Sequence, residues 1–146
     1  MEISLVIIYV LLFMSELPFK IIDLGFIHLE LYKNYVISTI QEGVAFDFPH
    51  LTEFFEVLEE NYSGQPIVSI AKRIHDYTVN PTCYLIAHTN LNLLGIAVVC
   101  VSKSAYETAL FEKKFYKNSY EPFHTLDEAI DWSNKLIETY NKKAGL

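Results

Sequence analysis

Two short apolar runs decide the fold: Ile67-Val68-Ser69-Ile70-Ala71 and Leu94-Gly95-Ile96-Ala97-Val98-Val99-Cys100-Val101. Apolar runs of this length without alternation are typical of strands that are buried on both faces of a parallel sheet. Between them, Asn80 and Pro81 predict a helix start, with Asn80 as the cap and Pro81 at the first position of a helix from Thr82 to Thr89. A right-handed crossover of this kind predicts two parallel strands.

The segment before these runs has the pattern of antiparallel strands. From residue 19 to residue 41 apolar and polar side chains alternate, and Lys33-Asn34 is placed as a tight turn. The isolated Gly25 predicts a kink or bulge in the first long strand. We therefore expect an antiparallel hairpin at the start of the sheet.

Helix signals recur through the rest of the chain. From Asp47, apolar residues at positions 51, 54, 55 and 58 predict an amphipathic helix that ends near residues 61–64. Ser104 with Glu107, and Thr125 with Glu128, match the capping box and predict two more helix starts. With the crossover helix this gives about four helices. The predicted fold is α/β, with a mostly parallel sheet that opens on an antiparallel hairpin.

The first residues form a separate apolar segment. The run from Ile3 to Phe13 is shorter than the about 20 residues that a membrane-spanning helix needs, so no stable membrane insertion is predicted. Met14 followed by Ser15 and Glu16 resembles the first residues of an ordinary protein. We therefore expect residues 1–14 to be an extension outside the fold and residues 15–146 to form one domain. The alternatives are a helix or strand packed on the domain, and an exposed contact with a membrane surface or another subunit.

The composition excludes several classes of partner. Eighteen acidic and eleven basic residues give a net charge of -7, which disfavours nucleic acid. The hydrophobic fraction of 51% excludes disorder. Cys83 and Cys100 lie in apolar stretches, which predicts buried thiols in a reducing cytoplasm. A cytoplasmic domain is therefore expected.

Catalytic and metal-binding patterns are weak. The five histidines are scattered without metal spacing, so we expect no metal. Each glycine stands alone, which disfavours a phosphate-binding loop and hence a nucleotide cofactor. Adjacent residues such as His75 and Asp76 rarely face each other, and no nucleophile with an elbow motif is present. The sequence thus disfavours an enzyme and predicts no cofactor.

One candidate site follows from the predicted sheet, because ligands of parallel α/β sheets bind beyond the carboxyl ends of the strands. The side chains there are polar: Lys72, Arg73, His75, Asp76, Tyr77 and Asn80 after the first strand, and Ser102, Lys103 and Ser104 after the second. Neighbouring strands would bring these residues into a basic, hydroxyl-bearing crevice for a small anion. The alternative is that they are ordinary strand ends and caps, with Lys72 and Arg73 paired to surface acids.

The order of elements resembles the STAS and SpoIIAA-like superfamily. The chain is also similar to a group of small bacterial proteins classed with it, through the segments Tyr32–Ser38, Tyr77–Pro81 and Phe123–Trp132. The resemblance covers nearly everything after Phe19 and implies a SpoIIAA-like fold. That group has no settled activity, so the resemblance alone implies no reaction.

Relatives of this fold suggest two functions. The first is a non-enzymatic interaction or regulatory module that binds a protein partner or itself through a sheet edge or the first acidic helix. In anti-sigma-factor antagonists a serine or threonine is phosphorylated; here only Thr78 and Thr82 are candidates, and no Asp-Ser-Ser-Gly type element is present. The alternative, suggested by CRAL-TRIO lipid carriers, is a small carrier of an apolar or anionic ligand.

Overall fold

The computed structural model describes residues 4–90 and 92–146 and contains two sheets flanked by helices. The strands are β1 (Lys20–Asp23), β2 (Ile27–Leu31), β3 (Tyr35–Ile40), β4 (Ala45–Phe46), β5 (Ile67–Arg73), β6 (Thr78–Val79), β7 (Leu93–Cys100) and β8 (Ser119–Phe123). The helices are α1 (Leu5–Ser15), α2 (Phe48–Tyr62), α3 (Thr82–Ala87), α4 (Lys103–Glu112) and α5 (Leu126–Lys143), with a 3-10 turn at Lys113–Phe115.

The main sheet has the strand order β1-β2-β3-β5-β7-β8. The pairs β1–β2 and β2–β3 are antiparallel, and the three pairs from β3 to β8 are parallel. The two apolar runs are the neighbouring strands β5 and β7, with Ala71 opposite Val98. The predicted sheet and its antiparallel opening are therefore confirmed.

The antiparallel strands are joined by two turns. The backbone N–H of Tyr32 donates to the carbonyl of Tyr35 at 2.9 Å across Lys33-Asn34, as predicted. The predicted kink at Gly25 is wrong, since Gly25 lies in the turn between β1 and β2 with a φ of +86°. A glycine adopts this left-handed conformation without steric cost, and its N–H donates to Asp23 Oδ1 at 2.8 Å. The residue therefore makes a turn rather than a bulge.

Of the three helix caps that the sequence predicts, Thr125 is found at the start of α5. The predicted cap at Asn80 is wrong by one residue: Pro81 is at the N-cap position of α3, and Asn80 accepts the N–H of Thr82 at 3.1 Å from just before the helix. The predicted cap at Ser104 is wrong by two residues: Ser102 caps α4 by accepting the N–H of Ala105 at 3.1 Å. Asp47, where the first amphipathic helix is predicted to begin, caps α2. A capping hydroxyl reaches the third N–H of a helix, and Ser104 already lies within α4.

The two faces of the sheet have separate cores. Helices α2, α3 and α4 pack on one face, against residues such as Leu29, Ile67 and Val98. Helix α5 packs on the other face through Ala129, which lies in one cluster with Ile70. Because strand residues alternate between faces, each central strand supplies side chains to both cores.

The apolar segment at the start of the chain forms helix α1. Its residues 5–14 are between 41% and 73% exposed, so they bury little apolar surface against the domain. Residues 1–3 lie outside the described residues. That residues 1–14 are not part of the fold therefore stays a prediction. No helix within residues 4–90 and 92–146 is long and apolar enough to cross a membrane.

Gly95 allows α5 to approach β7 closely. A Cβ atom at this position would lie 2.8 Å from Leu136 Cδ1, 3.0 Å from Trp132 Cη2 and 3.1 Å from the carbonyl oxygen of Ser119. The carbonyl belongs to the neighbouring strand and cannot move away as a side chain can. Only glycine fits between the strand and the helix here.

We predict that Gly95→Ala lowers the free energy of unfolding by about 1–3 kcal/mol, the range for overpacking a close-packed core. Urea denaturation of the variant and the parent chain measures the change. An unchanged or raised stability would contradict the close approach, because an unstrained Gly→Ala change stabilises by about 0.4–1 kcal/mol.

Candidate functional site

The carboxyl ends of β5 and β7 lie side by side, with Arg73 opposite Cys100. A crevice of about 100 Å³, here called the polar crevice, opens just beyond them. Five of the predicted site residues line it, together with Asp76: Arg73, His75, Tyr77, Ser102 and Ser104. The sheet topology thus brings together the two polar segments that follow the apolar runs.

Three predicted residues lie elsewhere. Lys72 precedes Arg73 in the strand and so points to the opposite face of the sheet. Lys103 is 90% exposed and lies 3.9 Å from Glu107 on the same helix. Asn80 joins the starts of two helices, because its Nδ2 donates to Asp47 Oδ1 at 3.0 Å. Neither lysine contributes its charge to the polar crevice.

Arg73 forms a buried ion pair with Glu112 of α4. Its Nη1 and Nη2 donate to the two carboxylate oxygens at 2.5 and 3.2 Å, and the side chains are 5% and 4% exposed. Burial alone would lower the pKa of Arg73, but the hydrogen bonds to Glu112 raise it above its ordinary value. The hydroxyl of Tyr120 also donates to Glu112, at 3.3 Å. The opposite charges of Arg73 and Glu112 therefore cancel, and the pair carries no net charge.

This pairing changes the electrostatics of the polar crevice. The guanidinium carbon of Arg73 lies 4.6 Å from the centre of the Tyr77 ring, which covers one side of it. His75 Nδ1 lies 3.7 Å from a carboxylate oxygen of Glu42, and Asp76 adds a second negative charge. Anion binding in the crevice stays a prediction, and these carboxylates oppose it.

The tyrosines around the ion pair are protonated at neutral pH. Burial raises the pKa of Tyr77 to about 12, and burial likewise raises the pKa of Tyr84 and of Tyr120 above its ordinary value. Each phenol therefore keeps its proton, and that of Tyr120 donates to Glu112. None of these tyrosines supplies a general base at pH 7.

A second cavity lies on the other side of Arg73 and Tyr77, between the sheet and helices α2 and α3. This apolar cavity has a volume of about 80 Å³. Its floor is formed by Ser38, Ser69 and Ala71, three small side chains on one face of β3 and β5. Large β-branched residues at these positions would fill the space. Part of the signal lies in the sequence, because Ser69 and Ala71 alternate with the larger Val68 and Ile70 in the first apolar run.

Aromatic side chains form the roof and rim of the apolar cavity. Phe54 and the half-buried Phe55 extend from α2, and the half-buried Tyr84 extends from α3. Phe46 of β4 and Val79 of β6 close one end, where the two short strands pair. Arg73 and Tyr77 line both spaces and so separate the apolar cavity from the polar crevice.

The other candidate groups are two threonines, proposed as phosphorylation sites, and two cysteines. The Thr82 hydroxyl donates to Asn80 Oδ1 at 2.7 Å, and Thr78 is exposed in β6, so phosphorylation of either stays a prediction. Cys83 and Cys100 are free and buried as predicted, and burial raises the pKa of Cys83 to about 11. Among residues 4–90 and 92–146, no three histidine, cysteine or acidic side chains lie close enough together to hold a metal ion.

Comparison with known proteins bears on the fold. No protein-family model matches the chain. No curated protein is significantly similar to it in sequence. The structure is similar to the crystal structure of an uncharacterised protein of the DUF3478 family, with a SpoIIAA-like fold, from Shewanella loihica PV-4. The two are 14% identical with a TM-score of 0.55, over 77% of this chain and 97% of the other. The similarity confirms the predicted SpoIIAA-like fold.

We predict that Arg73→Met alone destabilises the domain by about 3–5 kcal/mol, because it leaves the Glu112 carboxylate buried without its partner. The double variant Arg73→Met with Glu112→Leu should recover most of this loss, since an apolar pair of similar volume carries no desolvation cost. Urea denaturation of both variants measures the difference. A double variant as unstable as the single one would show that the ion pair itself supports the fold.

Proposed function

We propose that this domain is a non-enzymatic binding module that holds a small apolar molecule in the apolar cavity. The observation that carries the proposal is the floor of small side chains, Ser38, Ser69 and Ala71, at the centre of the main sheet. Binding sites for small molecules are concave, mostly apolar, and contain a few polar groups. The apolar cavity has each of these properties.

The cavity carries a cost in stability. Protein interiors are close-packed, and voids larger than a water molecule are few. On the scale measured for engineered cavities, a volume of 80 Å³ corresponds to about 2 kcal/mol. One larger residue at position 71 would reduce this cost. A ligand that binds only the folded state offsets it by mass action.

The side chains around the cavity favour binding over catalysis. Arg73 is held by both carboxylate oxygens of Glu112, so its charge is not available to a reacting group. The thiol of Cys83 has a pKa raised to about 11 by burial, so it is protonated at neutral pH and is a poor nucleophile. These groups can shape a pocket and donate hydrogen bonds. A proton-transfer role at pH 7 is not supported by them.

The rim suggests how a molecule enters. Phe55 of α2 and Tyr84 of α3 are half-buried at the rim of the cavity. Helix α3 has only six residues. Short elements with few buried contacts open locally more easily than the core does. Entry between α2 and α3 therefore requires no opening of the main sheet.

A second candidate function is binding to a second copy of this chain through β1. This strand is one edge of the main sheet, and the exposed apolar residues Leu17, Phe19 and Ile21 lie at it. The opposite edge, β8, contains Pro122, which offers no N–H to a new strand. Antiparallel pairing of two β1 edges would bury the apolar residues of both copies. Sedimentation of the full chain and of Ile21→Lys reports this association.

A cytoplasmic location is part of the proposal. Cys83 and Cys100 are both free thiols and form no disulfide with each other. Unpaired cysteines are typical of proteins in a reducing compartment. The location supports a ligand taken from the cell interior.

We predict that Ala71→Val raises the free energy of unfolding by about 1 kcal/mol, because the added methyl groups are buried in existing space. The same change should abolish binding of cyclopentane, followed by the amide chemical shifts of residues that line the apolar cavity. Urea denaturation measures the stability.

The matched control is Ala97→Val, at a fully buried alanine of the neighbouring strand that faces α5 instead. This change should lower the stability, since no space exists there, and should leave cyclopentane binding intact. The proposal fails if cyclopentane binds Ala71→Val as tightly as it binds the parent chain, or does not bind the parent chain at all.

A further inference from the structure

Two buried serines face the apolar cavity. Ser38 is 5% exposed and Ser69 is 7% exposed, and both line the cavity floor. Within residues 4–90 and 92–146, neither hydroxyl makes a hydrogen bond to another side chain or to the backbone, and no fully buried side-chain oxygen or nitrogen lacks a partner. The two hydroxyl oxygens therefore keep some accessible surface. Because both serines line the cavity, their hydroxyls can form hydrogen bonds with a molecule that enters it.

The other buried polar side chains in the described part of the chain are satisfied by protein. Arg73 and Glu112 bind each other, and the hydroxyl of Ser133 donates to the carbonyl of Ala129 at 2.7 Å. The buried polar side chains that lack a protein partner are thus the two serines of the cavity floor. An ordinary packing defect would be lined by apolar side chains alone. The two serines therefore distinguish the cavity floor from such a defect.

The two hydroxyls are placed to act together. Ser38 lies opposite Ala71 in the pairing of β3 with β5, and Ser69 lies two residues before Ala71 on the same face. Both side chains therefore lie on the same face of two neighbouring strands, where a single polar group can be placed between them. A hydroxyl group can donate to one serine and accept from the other.

We infer that the ligand is a small neutral molecule with an apolar body and one hydroxyl group, which Ser38 and Ser69 bind. This inference rests on the proposed function and adds the polar contact. A charged head group is disfavoured, because the only cation at the cavity, among the described residues, is neutralised by Glu112. The volume of about 80 Å³ limits the body to a short chain or a small ring.

The test compares cyclopentanol with cyclopentane, two probes with the same ring that differ by the hydroxyl group. Dissociation constants are measured on the full chain from amide chemical shifts. We expect the parent chain to bind cyclopentanol about tenfold more tightly than cyclopentane. In the double variant Ser38→Ala with Ser69→Ala, the order should reverse, because the ligand hydroxyl then loses its partners in an apolar space.

The control variant is Ser133→Ala, which removes a buried serine on the opposite face of the sheet. This variant should still bind cyclopentanol more tightly than cyclopentane, as the parent chain does. A parent chain that prefers cyclopentane, as it would if water bridged the two serines permanently, overturns the inference but leaves the proposed function standing. An unchanged preference for cyclopentanol in the double serine variant also overturns it. Failure of both probes to bind the parent chain removes the proposed function itself.

Discussion

The central constraint on this protein is that β5 is buried on both faces. Its neighbours β3 and β7 pair with it in parallel, so its side chains alternate between two cores that have different requirements. Ile70 fills the core under α5, whereas Ser69 and Ala71 leave space under α2 and α3. The cavity, the ion pair at the strand end and the two helical layers all follow from this alternation.

The end of the same strand explains why the polar crevice differs from a simple anion site. Arg73 follows Ala71 on the cavity face, and burial there requires a partner for its charge. Glu112 of α4 supplies that partner, and Tyr77 covers the guanidinium. The positive charge that the strand end brings to the site is therefore used within the fold. What remains accessible is an apolar space with hydroxyl groups.

Sequence patterns predicted the helices and strands better than the tertiary contacts between them. The two apolar runs, the helix that begins after Asp47, the cap at Thr125 and the antiparallel opening follow from local periodicity and turn chemistry, and they are found in the structure. The pairing of Arg73 with Glu112 could not be predicted, since it joins residues 39 positions apart. The cavity depends on which small residues meet across β3 and β5, and strand register is not visible in a single sequence.

The most direct test of the account is a crystal structure of the full chain under xenon pressure, because xenon binds apolar cavities without needing polar contacts. The account predicts a xenon atom in the apolar cavity, in contact with Ala71 and Phe54. Xenon sites confined to the surface or to the core under α5 would contradict it. That result would mean that the small side chains of the floor do not form an accessible binding site.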